Sequence, residues 1–251
     1  IFKNFNLMYQ EFIDKLIKQK NLQKESRFVA LQLLELHKEA FKRESVQILE
    51  LGVCSGQSTK VFLNAISDKN CSKLISIDIK DYSEVCSSSK WHFIKSNSLN
   101  IDYILKKEPD IVNKGIDILY IDSYHKREHV QNELYLYYPY LNQNSVIFFD
   151  DVDSGPYMMN QRKDSISTEI ENRSILDLIN SVFYTNKNEI NLNIFRGSTG
   201  LARMEKLSIK GTSLKTAKRF FKRRNKILWK IIYLLLRKKE YSPKLRNEKS
   251  F

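Results

Sequence analysis

Cysteine is scarce in this chain and poorly spaced for its structural uses. Cys54, Cys71 and Cys86 are the three present. They form no C-x-x-C pair, which excludes the common zinc sites, and their odd number leaves a thiol over in any disulfide scheme. That usage fits a reducing compartment. No apolar run approaches the ~20 residues that a membrane-spanning helix needs. The chain opens on Ile1 with no secretory signal pattern, so a few residues are expected to be missing and the expected location is cytoplasmic. No repeat or low-complexity segment interrupts the sequence.

What is present is an apolar fraction of 42%, enough for a sizeable core. At this length one domain with an appendage is expected. The charge is unevenly spread. Residues 206–251 hold sixteen Lys or Arg against two acids, a net of +14, so the remaining 205 residues carry −1 of the total +13. Basicity therefore belongs to a tail, and the spacing divides the chain into an N-terminal helical cap (1–45), a central domain (46–205) and a basic tail (206–251).

Residues 1–44 contain no Gly or Pro, and Leu16, Ile17, Phe28, Leu31, Leu34 and Leu36 recur at helical spacing among charges. His37 in this stretch reads as a surface residue. The central domain begins with Val46–Leu51, an apolar and β-branched run that predicts a buried strand. Then come Gly52-Val53-Cys54-Ser55-Gly56 and a helix opening at Gln57-Ser58-Thr59. Gly52 and Gly56 allow a sharp turn and close approach to a ligand. N–H groups at the helix start, around Ser58, face the same loop. A strand, a glycine loop and a helix in this order form the nucleoside-binding start of a doubly wound domain.

A dinucleotide fingerprint needs G-x-G-x-x-G, and the third glycine is missing here. Glu50 ahead of the loop would repel a pyrophosphate and attract a sulfonium or ammonium group, which favours S-adenosylmethionine over NAD. The stretch resembles motif I of the class I S-adenosylmethionine-dependent methyltransferases.

Lys73–Asp78 is a second strand ending in an acid 22 residues beyond Gly56. Asp78 there suits both ribose hydroxyls. Trp91–Lys95 is a third strand, followed by Asn97 where many class I methyltransferases carry an acid for the adenine amino group; its amide oxygen can accept the same bond. His92 within that strand reads as structural. Gly115–Asp122 and Ser145–Asp150 are the fourth and fifth strands, separated by a helix that Pro139 and Asn142–Asn144 end. Ile170–Phe183 is a further helix, and Ile190–Phe195 with Gly200–Met204 forms a terminal hairpin. The order predicts an α/β, doubly wound, Rossmann-like, seven-stranded and mostly parallel sheet with an antiparallel terminal strand.

Glu50, Asp78, Asp122 and Asp150-Asp151 all fall at strand ends, where the ligand crevice of such a sheet lies. Crowded carboxylates repel one another, and a divalent cation relieves this. Asp122, Asp150 and Asp151 with water and substrate oxygens would suit Mg²⁺ or Mn²⁺.

The segment Ile121–Val130 with Phe148–Asp151 resembles I-D-G-D-H-x-Y-E-x-V … D-D of cephalosporin-hydroxylase-like and sugar O-methyltransferases. It is also similar to the metal-dependent catechol O-methyltransferases. The likeness covers residues 46–204. Ser123 and Tyr124 stand for the usual Gly-Asp, and His129 for a small residue. The resemblance implies a methyl donor already activated, a metal that lowers the acceptor hydroxyl's pKa, and a base three residues after the first ligating Asp. That position is His125; its alternative role is to orient Asp122.

In the tail, Lys218–Lys226 leads into Ile227–Leu236 with Trp229 and Tyr233, then Arg237-Lys238-Lys239. Basic flanks around a short apolar run fit a helix lying on an anionic membrane surface, through residues 213–240, at the inner face of the membrane. A nucleic-acid-binding arm is the rival reading. The expected function is a Mg²⁺-dependent O-methyltransferase acting on a sugar or glycan hydroxyl. A catechol-like small-molecule enzyme, a nucleic-acid methyltransferase and a non-catalytic relative stay open. Tyr135, Tyr137, Tyr138 and Tyr140 line either the core or a homo-oligomer contact.

Overall fold

The computed structural model describes residues 24–153, 166–196, 199–217 and position 231. Helix α1 (Lys24–Phe41) precedes β1 (Gln47–Leu51), α2 (Gln57–Ala65), β2 (Lys73–Asp78) and β3 (Trp91–Lys95). Two short helices, α3 (Ile101–Lys107) and α4 (Asp110–Asn113), lead to β4 (Ile116–Ile121) and α5 (Arg127–Tyr137). Then come β5 (Leu141–Asp150), α6 (Ile166–Thr185), β6 (Ile190–Phe195) and β7 (Leu201–Lys206).

The seven strands lie in the order β3-β2-β1-β4-β5-β7-β6. The first five are parallel, and β7 runs antiparallel to both β5 and β6. The expected seven-stranded sheet with one reversed strand is therefore present. Side chains alternate across a strand, and the central strands divide their apolar residues accordingly. Leu49, Leu119, Ile147 and Phe149 pack toward α5 and α6, with Leu134, Tyr137, Leu178 and Val182. Ile48, Ile118, Val146 and Phe148 pack on the other face toward α1 and α2, with Leu36, Val61 and Phe62.

Several particulars depart from expectation. His37 is buried between α1 and α2, where Nε2 bonds Asn64 Oδ1 at 2.9 Å and the ring stacks on Phe41. Burial, chiefly, lowers its pKa. β5 begins at Leu141, not Ser145: Leu141 pairs with Ile116 and Val146 with Ile118, so the segment between them bulges out of register. Asn144 takes φ 62° in that bulge. Tyr137 and Tyr138 are core residues.

The domain also runs past residue 205. Lys206 is fully buried at the end of β7, and its Nζ donates to the carbonyls of Tyr138 and Leu141. The segment to residue 217 folds back onto the domain. Leu214 is buried, Lys215 N donates to Asn186 Oδ1, and Tyr135 OH donates to the Lys215 carbonyl. Most of the tail stretch 213–240, the helical reading of residues 1–23 and part of the segment 152–169 lie outside the described residues. Among the described residues no helix is long and apolar enough to cross a membrane.

Candidate active site

The strand order reverses between β1 and β4, and an α/β sheet opens a crevice at such a point. Gly52 follows β1 there and Asp122 follows β4. A Cβ on Gly52 would stand 2.1 Å from the Asp122 carbonyl oxygen, and φ at Gly52 is +96°. The glycine thus lets two loops touch, more than it admits a ligand. Gly56, at φ +69°, is crowded in the same sense by Val85, whose Cγ1 would lie 2.0 Å from an added Cβ.

Glu50 lies under this loop, fully buried. It accepts hydrogen bonds from Ser58 Oγ (2.5 Å), Thr59 Oγ1 (2.8 Å) and Ser76 Oγ (2.6 Å). Parallel pairing sets Ser76 directly beside Glu50, and Trp91 Nε1 donates to the same serine. Burial raises the Glu50 carboxyl to about 7, against the pull of the three hydroxyls. Glu50 and Ser58, expected to face the cofactor, instead tie the loop to the sheet from below. The odd-even alternation of β1 puts Glu50 on the α2 side and explains the placement.

A cavity of about 520 Å³ opens above the loop, a size that suits a nucleoside-containing ligand. Its lining includes Gly52, Asp78, Asn97 and Asp122. Asp78 Oδ2 accepts from Val53 N and Oδ1 from Lys80 N, both at 2.9 Å, so the carboxylate is pinned at the cavity wall. Asn97 Oδ1 accepts from Leu99 N at 2.9 Å. Ile79 and Tyr124, 68% and 61% exposed, present apolar surface from the loops after β2 and β4. Neither was singled out in the sequence as a binding residue. An apolar residue directly after the strand-end acid, and an aromatic two after Asp122, were the available signals.

Beside this cavity lies the acid cluster. Tyr120 OH is 3.2 Å from Asp122 Oδ2 and 3.0 Å from Asp150 Oδ2. His125 Nε2 lies 3.0 Å from Asp122 Oδ1, and its Nδ1 lies 3.1 Å from Asp151 Oδ2. Burial by itself would lower the pKa of His125. The bond to Asp122 and the charges of Asp151 and Asp122 outweigh it and raise the imidazole to about 9. Asp150 is pushed well above the usual carboxylate range by burial, then by Asp122 and Asp151. Asp151 takes a left-handed backbone, φ 56°, and its N–H donates to Asp150 Oδ1.

The expected metal ligands Asp122, Asp150 and Asp151 are thus brought together, but not as a metal shell. Among the described residues no three His, Cys, Asp or Glu side chains are arranged to hold a metal ion. His125 stands between two of the three carboxylates, with both ring nitrogens engaged. In this arrangement the residues do not fit Mg²⁺ or Mn²⁺.

Residues 49–152 match the family described as "Methyltransferase domain". The uncharacterized protein R132 of Acanthamoeba polyphaga mimivirus is 28% identical over 134 residues, 47% of this chain and 57% of that protein. The chain thus matches little more than half the length of this curated relative. Among solved structures, MycE methyltransferase from the mycinamycin biosynthetic pathway, in complex with Mg and SAH, superposes with a TM-score of 0.55 at 16% identity. That match covers 81% of this chain and 57% of MycE. SAH-bound methyltransferase PaMTH1 of Podospora anserina gives 0.56 at 12% identity, covering 80% and 87%. The O-methyltransferase TomG of Streptomyces achromogenes, in complex with SAM, gives 0.52 at 16%, covering 71% and 81%.

Proposed function

We propose, since residues 49–152 match the family described as "Methyltransferase domain", that the chain is a class I, S-adenosylmethionine-dependent methyltransferase and transfers a methyl group to the hydroxyl oxygen of a sugar or glycan. The observation that carries the reading is Asp78, pinned by two backbone N–H groups on the wall of a nucleoside-sized cavity at the sheet's reversal point. A carboxylate so held has lone pairs left for two ribose hydroxyls. The acceptor class rests on the segment Ile121–Val130 with Asp150-Asp151, similar to that of sugar O-methyltransferases.

Bound cofactor supplies a methyl group already activated on sulfonium sulfur, so the protein's work is alignment and removal of one proton. The chain's own part would be to hold the acceptor hydroxyl in line and to receive its proton on a carboxylate. Asp122 is the acid that both lines the cavity and borders the cluster. Both ring nitrogens of His125 are engaged, one on Asp122 and one on Asp151, which leaves neither turned to the acceptor's proton. Of the two roles the sequence leaves open for His125, base or orientation of Asp122, this reading takes the second, with Asp122 as the proton acceptor.

Mg²⁺ dependence stands apart from this route, because the cluster as arranged does not fit a metal and no step passes through one. Turnover undiminished by EDTA is the expected result. Loss of turnover that Mg²⁺ restores would reinstate Asp122, Asp150 and Asp151 as ligands and require His125 to leave them. The central experiment is calorimetric binding of S-adenosylhomocysteine to wild type and Asp78→Ala, followed by a methyl-transfer screen of glycans against catechols. Micromolar binding lost in the variant supports the cofactor reading, and glycan methylation supports the acceptor. No binding to wild type overturns both.

The concentration of +14 in residues 206–251 supports a second element, peripheral attachment to anionic lipid. Each basic residue near such a surface contributes about 1 kcal/mol. Flotation with phosphatidylserine vesicles should be lost on deletion of residues 218–251. Flotation unchanged by that deletion removes the membrane from the reading.

A further inference from the structure

Three loops bound one end of the cavity: Ile79 after β2, Ser96–Ser98 after β3, and Ser123-Tyr124 after β4. On the reading that Asp78 holds the ribose, a base would fall against these loops. Beneath it lies Glu133 of α5, with no exposed surface. Its Oε1 accepts from Ser98 Oγ at 2.5 Å, Ser123 Oγ at 2.6 Å and His129 Nε2 at 3.1 Å. Its Oε2 is buried with no hydrogen-bond partner. A carboxylate in this position demands donors and fixes whatever supplies them.

His129 is the one donor of the three that stands a helical turn away on the same helix. Its ring lines the cavity and meets Tyr124 edge-on, with centroids 5.7 Å apart. A carboxylate only accepts, so Nε2 carries the hydrogen and the lone pair of a neutral ring sits on Nδ1. Nδ1 is then the ring's remaining polar atom. Asn97 Oδ1 accepts from Leu99 N, which ties that amide to its own loop and leaves it one lone pair.

We propose that His129, oriented by Glu133, is the residue that reads the adenine of the cofactor, with Nδ1 accepting a hydrogen bond from the exocyclic amino group. The acid that many class I methyltransferases place after the third strand is replaced here by a buried acid on α5 acting through an imidazole. His129 is the specificity-determining residue and Glu133 its positioning residue. The inference rests on the S-adenosylmethionine reading above.

The test compares two ligands on the full chain by calorimetry: S-adenosylhomocysteine, and S-inosylhomocysteine, in which a carbonyl oxygen replaces the amino group. A site built around a donor rejects the analogue lacking it. Wild type should favour the adenosyl ligand by about tenfold or more. His129→Ala should bring the ratio to near one while its helical circular dichroism stays unchanged. Glu133→Gln, which keeps shape and frees the imidazole, should lower the ratio in part. A wild-type ratio near one overturns the proposal. So does a ratio that survives in His129→Ala, or equal weakening of both ligands, which is a packing effect only. Selectivity lost in Asn97→Ala and kept in His129→Ala would return the role to the loop after β3. No binding of S-adenosylhomocysteine to wild type would instead overturn the cofactor reading itself.

Discussion

At the scale of single residues, Glu50 shows how a functional-looking acid becomes a fastening. Three hydroxyls, from Ser58, Thr59 and Ser76, converge on it in the dry interior. Glu50→Ala strands all three and leaves a cavity, and should lower unfolding free energy by about 2–4 kcal/mol in urea titrations. His125 gives a second prediction, with a pH signature. Its folded pKa of about 9 lies above the ordinary 6.5, so its contribution to stability is complete below pH 6.5 and is lost as pH rises through 9. The gap in melting temperature between wild type and His125→Gln should therefore be widest in mild acid and closed near pH 10. Asp78, Asp122, Asp150 and Asp151 were legible in the sequence because strand ends and acids can both be counted along a chain. The downward direction of Glu50 was not, since it depends on which face of β1 an even-numbered residue occupies. Neither was the pairing of His129 with Glu133 under two serines from separate loops.

At the scale of elements, the two glycines of the first loop are constrained differently. At Gly56 an added methyl meets the far end of a side chain, Val85; at Gly52 it meets backbone, the carbonyl of Asp122. Both also sit at positive φ, which costs a non-glycine residue about 1–2 kcal/mol. Gly56→Ala should be partly rescued by Val85→Ala, in both stability and binding of S-adenosylhomocysteine. Gly52→Ala should lose binding with no single-residue rescue, because relief requires the loops after β1 and β4 to part. The strands themselves were readable: β2 and β3 fall where their apolar runs place them. The early start of β5 was hidden by Asn142–Asn144, residues that signal a turn and here form a bulge inside the strand. Helices α3 and α4 are too short for periodicity to declare.

At the scale of the whole molecule, the charge map and the fold draw different borders. Charge alone ends the domain at residue 205, whereas packing continues to 217 through Leu214 and the Asn186–Lys215 bond. A chain ending at 206 should be less stable than one ending at 217 by about 2 kcal/mol or more, the order expected for burying a leucine, as read by chemical denaturation. A basic run is assigned by composition, but the lysines in it are not alike until the backbone is placed.

Lys206 carries that difference furthest. Burial lowers its amine to about 8, so in mildly alkaline buffer much of it is the reactive, uncharged form, yet no reagent reaches it. Treated with an acylating label, the surface lysines would be modified at a rate set by the chemistry. Lys206 would be modified only as often as the end of β7 comes away from the carbonyls of Tyr138 and Leu141. Mass spectrometry of that one peptide is therefore a clock for the opening of the sheet, built into the chain and read without any engineered probe.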